Sequence, residues 1–224
     1  MPLLIDHPQP GVARLLLDRP ERHNALDRAL VEALQAAVEA EREHVIVLGS
    51  SGAGRFCGGA DTAIDDEERA WVSTALYDLY ARILELPRPV LAAIDGPAIG
   101  GGLQLAISCD LRVAAPGAWL AARGPGHGLA VAAWGLPTLV GRSRALDLCL
   151  TGRRVDAEEA LAIGLVDRVT DDPTATAVEL AAEFAELDEA AVARVKTLVA
   201  RDLASALADE AAGNRGWSGT LPPR

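Results

Sequence analysis

The chain has 224 residues, 50% of them hydrophobic and 24% charged. That is long enough to bury one sizeable core and too apolar for a disordered chain. Lys plus Arg number 21 against 32 Asp plus Glu, a formal net charge of −11, which argues against non-specific nucleic-acid binding because that needs a basic footprint.

An anionic ligand held by a few local Arg residues and main-chain N–H groups remains open. The three cysteines, Cys57, Cys109 and Cys149, are odd in number and far apart, and the four His show no metal-ligand spacing. Neither a disulfide framework nor a structural zinc site is expected, and no metal is assigned. The start, MPLLIDHPQP, lacks a basic stretch and a long apolar run, so a secretory signal is not expected. Apolar stretches are broken before they reach bilayer length. The expectation is a cytoplasmic protein with no membrane partner.

Taken in chain order, Val12–Asp18 predicts a strand ended by Arg19-Pro20. Leu26, Leu30, Leu34 and Val38 recur every fourth residue, one apolar helix face with acidic residues opposite. Val45–Leu48 predicts a strand buried on both faces, followed by a Gly-rich turn from Gly52 to Gly59. Arg69–Leu86 has helical spacing, and Pro87 and Pro89 stop it. Val90–Ile94 predicts a strand, then a Gly-rich turn, a helix over Leu103–Cys109 and a strand over Leu111–Ala114. That order marks a β-α-β unit. Ala145–Leu150 predicts a helix. Asp156 with Glu159 forms a capping box before a helix over Ala157–Ile163, and Leu165–Val169 a short strand. From Thr174 the chain is Ala-rich and helical, with a break near Asp188. The fold class is α/β, with a core over 1–170 and a helical C-terminal region over 171–224.

Two Gly-rich turns follow strands: Arg55-Phe-Cys-Gly-Gly-Ala-Asp61 and Asp95-Gly-Pro-Ala-Ile-Gly-Gly-Gly-Leu-Gln104. The second opens a helix, whose first N–H groups lack internal partners and whose dipole favours negative charge. Two N–H groups converging from separate turns polarise one carbonyl oxygen, the geometry of an oxyanion hole. The competing reading is that the glycines only permit tight turns. Neither turn is a P-loop or a Rossmann fingerprint, and no G-x-S-x-G elbow is present.

These residues carry a resemblance. Arg19-Pro-Glu-Arg-His-Asn-Ala-Leu-Asp27, Phe56-Cys-Gly-Gly-Ala-Asp61, Arg88 through Ala106, Cys109-Asp-Leu-Arg-Val113, and Leu150-Thr-Gly with Asp156 through Val166 resemble the enoyl-CoA hydratase/isomerase (crotonase) family. The order and spacing of these blocks agree from about residue 12 to residue 170. The resemblance implies a spiral of repeated ββα units with C-terminal helices that help trimerise the subunits, here shortened, so a homo-oligomer (a trimer or dimer of trimers) is expected. It implies an acyl-CoA thioester as ligand, with coenzyme A part of the substrate and no separate cofactor. By match, the thioester oxygen is held by the N–H groups of Ala60 and Gly101. The adenine and phosphates are placed near Arg22, Ala25 and Leu26 and along Gly58–Thr62, including Asp61.

The departures from the family matter equally. Family hydratases use two Glu residues. One sits three residues after the Gly matched by Gly101, where this chain has Gln104; the other falls in Leu120–His127, and no carboxylate lies between Asp110 and Asp147. Gln is not a proton donor or acceptor near neutral pH, so the usual two-Glu hydration is doubtful, and Gln104 is left to orient water or ligand. His127, between two glycines near the expected site, is the candidate base; its alternative is a surface His in a loop. Asp65–Glu68 reads as a solvated helix start, with a lid supplying a carboxylate as the alternative. Asp61 reads as a turn-fixing residue. Trp119 and Trp134 either line an acyl tunnel or pack in the core. Two functions stay open: a lyase or isomerase working through a thioester enolate, and a non-catalytic acyl-CoA carrier, sensor or partner subunit.

Overall fold

A computed structural model describes residues 1–52 and 54–222. Ala53, inside the turn expected at Gly52–Gly59, and Pro223-Arg224 lie outside the described residues. The chain opens with β1 (Leu3–Gln9) and β2 (Val12–Leu17), an antiparallel pair, then α1 (Arg28–Ala40) and β3 (Val45–Ser50). Next come α2 (Asp66–Glu85), β4 (Val90–Ile94), β5 (Ala98–Ile99), α3 (Gly101–Ser108), β6 (Leu111–Ala114) and β7 (Trp119–Ala121). The second half holds α4 (Leu136–Val140), α5 (Arg142–Thr151), β8 (Val155–Asp156), α6 (Ala157–Ala162) and β9 (Arg168–Val169), then α7 (Pro173–Ala185), α8 (Glu189–Val199) and α9 (Arg201–Gly213).

The strands stack in two columns. One sheet runs β1-β2-β3-β4-β6-β9, parallel from β2 onward. A second column is built from short pairings: Leu26 with Ala60, Cys57 with Ala98, β5 with β7, and β7 with β8. Each turn of the chain from β2 to β7 thus contributes one segment to each column, which makes a spiral. The two Gly-rich turns lie next to each other in the second column although β4 and α2 separate them in sequence.

Alternation along the parallel strands feeds two cores. Ile46 and Leu48 face the helices α1 and α2, whereas Val45 and Val47 face α7 through Ala177, Val178, Leu180 and Ala181. A strand buried on both sides is apolar at every position, which is why Val45–Leu48 reads as an unbroken apolar run. Helix starts follow the expected chemistry. Asp65, Asp156 and Asp188 each accept a hydrogen bond from the N–H three residues on, so Asp65–Glu68 is the start of α2, as read from sequence.

Three features differ from expectation. Strand pairing near residue 165 is confined to Arg168–Val169; Leu165 and Val166 turn inward, both donating to the Ala160 carbonyl (2.8 and 3.2 Å). The C-terminal helices break at Ala200 as well as at Asp188. The segment Leu3–Gln9 pairs as an edge strand exposed over most of its length, and so lacks a strong apolar pattern. Lys196 anchors α8: its ammonium, buried, donates to the Ile83 carbonyl (3.0 Å), the Arg88 carbonyl (2.9 Å) and Asp110 (2.8 Å).

Candidate active site

The stitching of the two turns sets the direction of the amides. In a parallel bridge, one residue bonds the two neighbours of its partner. Leu26 donates to the Gly59 carbonyl (2.8 Å) and accepts from the Asp61 N–H (2.9 Å). The N–H of Ala60, lying between those two, therefore points away from Leu26. Cys57 likewise donates to the Pro97 carbonyl and accepts from the Ile99 N–H, both at 3.0 Å. That places Gly101, two residues past Ile99, beside the first turn.

Gly101 is the first residue of α3, so its N–H has no partner inside the helix. Among the described residues neither the Ala60 nor the Gly101 amide has a protein acceptor. Glycine is required at the approach. Gly59 has φ +92°, and a Cβ there would lie 2.7 Å from the Ile99 carbonyl oxygen and 3.5 Å from the Gly101 nitrogen. Gly100, at φ +53° and ψ −114°, holds a conformation that side chains disfavour. Tyr80, fully buried, donates its hydroxyl to the Gly101 carbonyl (2.8 Å) and fixes the first turn of α3 from below.

Ala60 and Gly101 line one cavity of about 260 Å³, together with Gly58, Thr62, Arg123 and His127. No Asp or Glu is among the cavity's lining residues. Size alone does not mark the site. A larger apolar cavity of about 560 Å³ lies under α8 between Ile107, Phe184 and Val192, away from both amides.

The turn after β2 is an ion-pair cluster. Arg22 reaches Asp61 at 2.9 and 3.1 Å, and Arg19 reaches Asp27 at 3.0 Å and Asp61 at 3.5 Å. Asp61 is buried and also accepts from the Ala63 N–H (2.9 Å). Burial pushes its carboxyl up, but the Ala63 N–H and the Arg22 and Arg19 guanidinium groups outweigh it and hold the carboxyl below its ordinary value. Its turn-fixing role is therefore visible in its bonds. Ala25 gives its carbonyl to Arg19, and Leu26 is fully buried against Gly101. Arg22, Ala25 and Leu26 flank the cavity without lining it.

Gln104 is buried, and its side-chain oxygen accepts from the Ala132 N–H (3.1 Å) and the Trp134 indole (2.9 Å). It ties α3 to the 130–134 segment and is not among the cavity-lining residues. Trp134 is thereby a core residue, and Trp119 lies under the Arg154 guanidinium (4.0 Å). Neither indole lines the cavity. His127 does, and its ring has no hydrogen-bond partner among the described residues, while its carbonyl accepts from the Trp217 indole (2.9 Å). Burial pushes the Cys57 and Cys109 thiols up to about 12, as inert core side chains require.

Several residues near the site were not singled out from sequence. Glu210 is a buried carboxylate that accepts from the Tyr77 hydroxyl (2.9 Å) and the Trp134 N–H (3.0 Å). Burial raises its carboxyl above the ordinary value despite those donors. Its signal was present: Leu203, Leu207, Glu210 and Asn214 recur at helical spacing, which puts an acid on the apolar face of α9. The segment after α9 folds back over the cavity. Trp217 lines it, and the Gly219 carbonyl accepts from Arg69 (2.8 Å).

A spiral of ββα turns, with two main-chain amides meeting on one cavity, is the architecture of the crotonase fold. The enoyl-CoA hydratase/isomerase family model matches residues 7–220. A Mycobacterium leprae protein named as a probable enoyl-CoA hydratase is 40% identical over 202 residues, covering 86% of this chain and 80% of the relative. The crystal structure of an enoyl-CoA hydratase from Bacillus anthracis superposes with a TM-score of 0.82 at 31% identity, covering 96% of this chain and 91% of that one. A monofunctional enoyl-CoA isomerase from M. smegmatis superposes with a TM-score of 0.76 at 34% identity, covering 90% and 93%. The chain belongs to the enoyl-CoA hydratase/isomerase family.

Proposed function

We propose that this protein binds an acyl-CoA thioester and stabilises the enolate of its acyl group with the N–H groups of Ala60 and Gly101. One observation carries the reading: two amides without an acceptor among the described residues, from turns distant in sequence, border the same cavity. As charge develops on the thioester oxygen, donors already in place need no reorganisation, and removing one such donor typically costs about 10²–10³ in rate. The turn at Arg22 flanks the phosphate end of coenzyme A, which enters as part of the substrate; no further cofactor is invoked.

Proton transfer at the α-carbon falls to His127 or to water. The two-carboxylate hydration of the family is not proposed, because Gln104 is committed to Ala132 and Trp134 and no Asp or Glu lines the cavity among the described residues. That same lack of a carboxylate favours a second reading, in which the protein holds acyl-CoA without turning it over. The C-terminal helices are taken to carry assembly into a trimer.

Calorimetric titration with crotonyl-CoA, followed by the loss of its conjugated thioester absorbance, tests both readings. Gly101 occupies the first helical position, where Pro is tolerated. Gly101→Pro removes the N–H, whereas Gly101→Ala adds a Cβ and keeps it. Turnover in the parent chain, lost about 10²-fold or more in Gly101→Pro but largely kept in Gly101→Ala, supports enolate stabilisation. Tight binding without turnover supports the carrier. Absence of binding to any CoA ester overturns both.

A further inference from the structure

We infer that Arg123 is a specificity residue that selects acyl groups bearing a carboxylate of their own. The inference rests on acyl-CoA binding at the two amides and adds the chemistry of the acyl end.

Arg123 lies two residues past the end of β7 and is held against the second Gly-rich turn. Gly100 donates its N–H to the Ala121 carbonyl (2.9 Å), and the Arg123 carbonyl lies 3.4 Å from where a Gly100 Cβ would stand. Its side chain runs toward the end of α5, with Cγ 3.7 Å from the Cβ position of Gly152. There it borders a second cavity of about 330 Å³. Arg123 and His127 line both cavities, so the two spaces meet at these side chains. No Asp or Glu is among the lining residues of either cavity.

The other guanidinium groups around the site are occupied. Arg22 pairs with Asp61, Arg19 with Asp27, and Arg69 with Asp66 and the carbonyls of Thr62, Ile64 and Gly219. The Arg123 side chain, exposed, makes no hydrogen bond or ion pair among the described residues. A guanidinium is always charged and offers a planar fork that fits a carboxylate bidentately. Placed at the junction of two cavities that no Asp or Glu lines among the described residues, it is open to an anion carried by the ligand.

The topology says which part of the ligand supplies it. The short-strand column runs from Leu26 to the Ala60 turn, to Ala98, to Leu120. The Arg22 turn and Arg123 therefore flank the amides on opposite sides. A thioester whose coenzyme A leaves past Arg22 directs its acyl group toward Arg123. A short dicarboxylic acyl group fills that role; a simple alkyl chain leaves the guanidinium unmatched.

The test is a set of calorimetric titrations with glutaryl-CoA, pentanoyl-CoA and free coenzyme A, on the parent chain and on Arg123→Gln and Arg123→Lys. Arg123 is exposed, so both variants are expected to fold, and thermal melts check it. The parent is expected to bind glutaryl-CoA about tenfold or more tighter than pentanoyl-CoA, the scale of a charge-assisted hydrogen bond. In Arg123→Gln that ratio is expected to fall to about one, and Arg123→Lys to recover part of it, keeping the charge but losing the fork. Equal affinities in the parent, or a ratio unchanged in Arg123→Gln, overturn the inference. So does an Arg123→Gln loss shared equally by all three ligands, which marks a phosphate contact of coenzyme A. Binding of pentanoyl-CoA without preference leaves acyl-CoA binding standing and removes only this inference; failure of all three removes both.

Discussion

Glu210 shows how one side chain couples the C-terminal helix to the site without touching the cavity. One carboxylate oxygen takes the Tyr77 hydroxyl and the other the Trp134 N–H, and the Trp134 indole goes on to Gln104. Removing either acceptor leaves a buried donor unmade. Its titration has a defined sign. Burial raises the carboxyl above its ordinary value of 4.5, so the folded state holds the proton over a pH range in which the unfolded chain has lost it. Stability from this group is complete below the unfolded value and is lost as pH rises through the folded one. Melting temperatures of the parent are expected to fall relative to Glu210→Gln as pH is raised from about 4.5 to neutrality. A difference between the two that stays flat with pH removes the assignment. Asp61 works the other way. Its lowered carboxyl contributes above the unfolded value and loses that contribution as pH falls through the folded one.

At the scale of elements, α8 is held by a polar pin. Its apolar residues Val195, Leu198 and Val199 are exposed, so hydrophobic burial within the chain does not seat it. Lys196 does, by satisfying two carbonyls and Asp110 at once. Asp110 in turn accepts from the Val90 N–H (2.7 Å), which links α8 to the start of β4. Truncation as Lys196→Ala leaves those acceptors without their cation. Breaking a buried pair costs about 3–5 kcal/mol, and because Asp110 is partly open to solvent the loss is expected at about 3 kcal/mol. Urea denaturation checks it, and a loss below about 1 kcal/mol shows that the pin is not what seats the helix.

For the whole molecule, the same exposed side chains on α8 point to assembly. Leu187, in the break before α8, and Val195, Leu198 and Val199 on α8 are large apolar residues left exposed, and exposed apolar surface of this kind marks a candidate interaction surface. Light scattering is expected to give about three times the monomer mass for the parent, consistent with closed rotational symmetry. The double variant Val195→Asp, Leu198→Asp is expected to shift toward monomer with its α-helical content kept. A monomeric parent at micromolar concentration removes the trimer.

Much of the architecture is encoded locally, and local signals were sufficient to read it. Apolar runs marked the buried strands, the four-residue spacing marked α1, Asp65 and Asp156 announced helix starts through hydrogen bonds that span three residues, and Asp188 marked a break in the C-terminal helices. The glycines of the two turns announced close backbone approach, and the order of blocks announced the family. What depended on distant partners was not legible. The burial of Gln104 follows from where Trp134 lies, the reach of Glu210 from how α9 packs on α2, and the setting of Arg123 from two cavities that no Asp or Glu lines among the described residues. Sequence by itself determined the longer helices, the buried strands of the main sheet, their order and the two amide-bearing turns, because these depend on torsional preference and neighbouring hydrogen bonds. Only the tertiary structure decided which amides share a cavity and which side chains face it, because a spiral brings together residues whose directions are set by strands far apart in the chain.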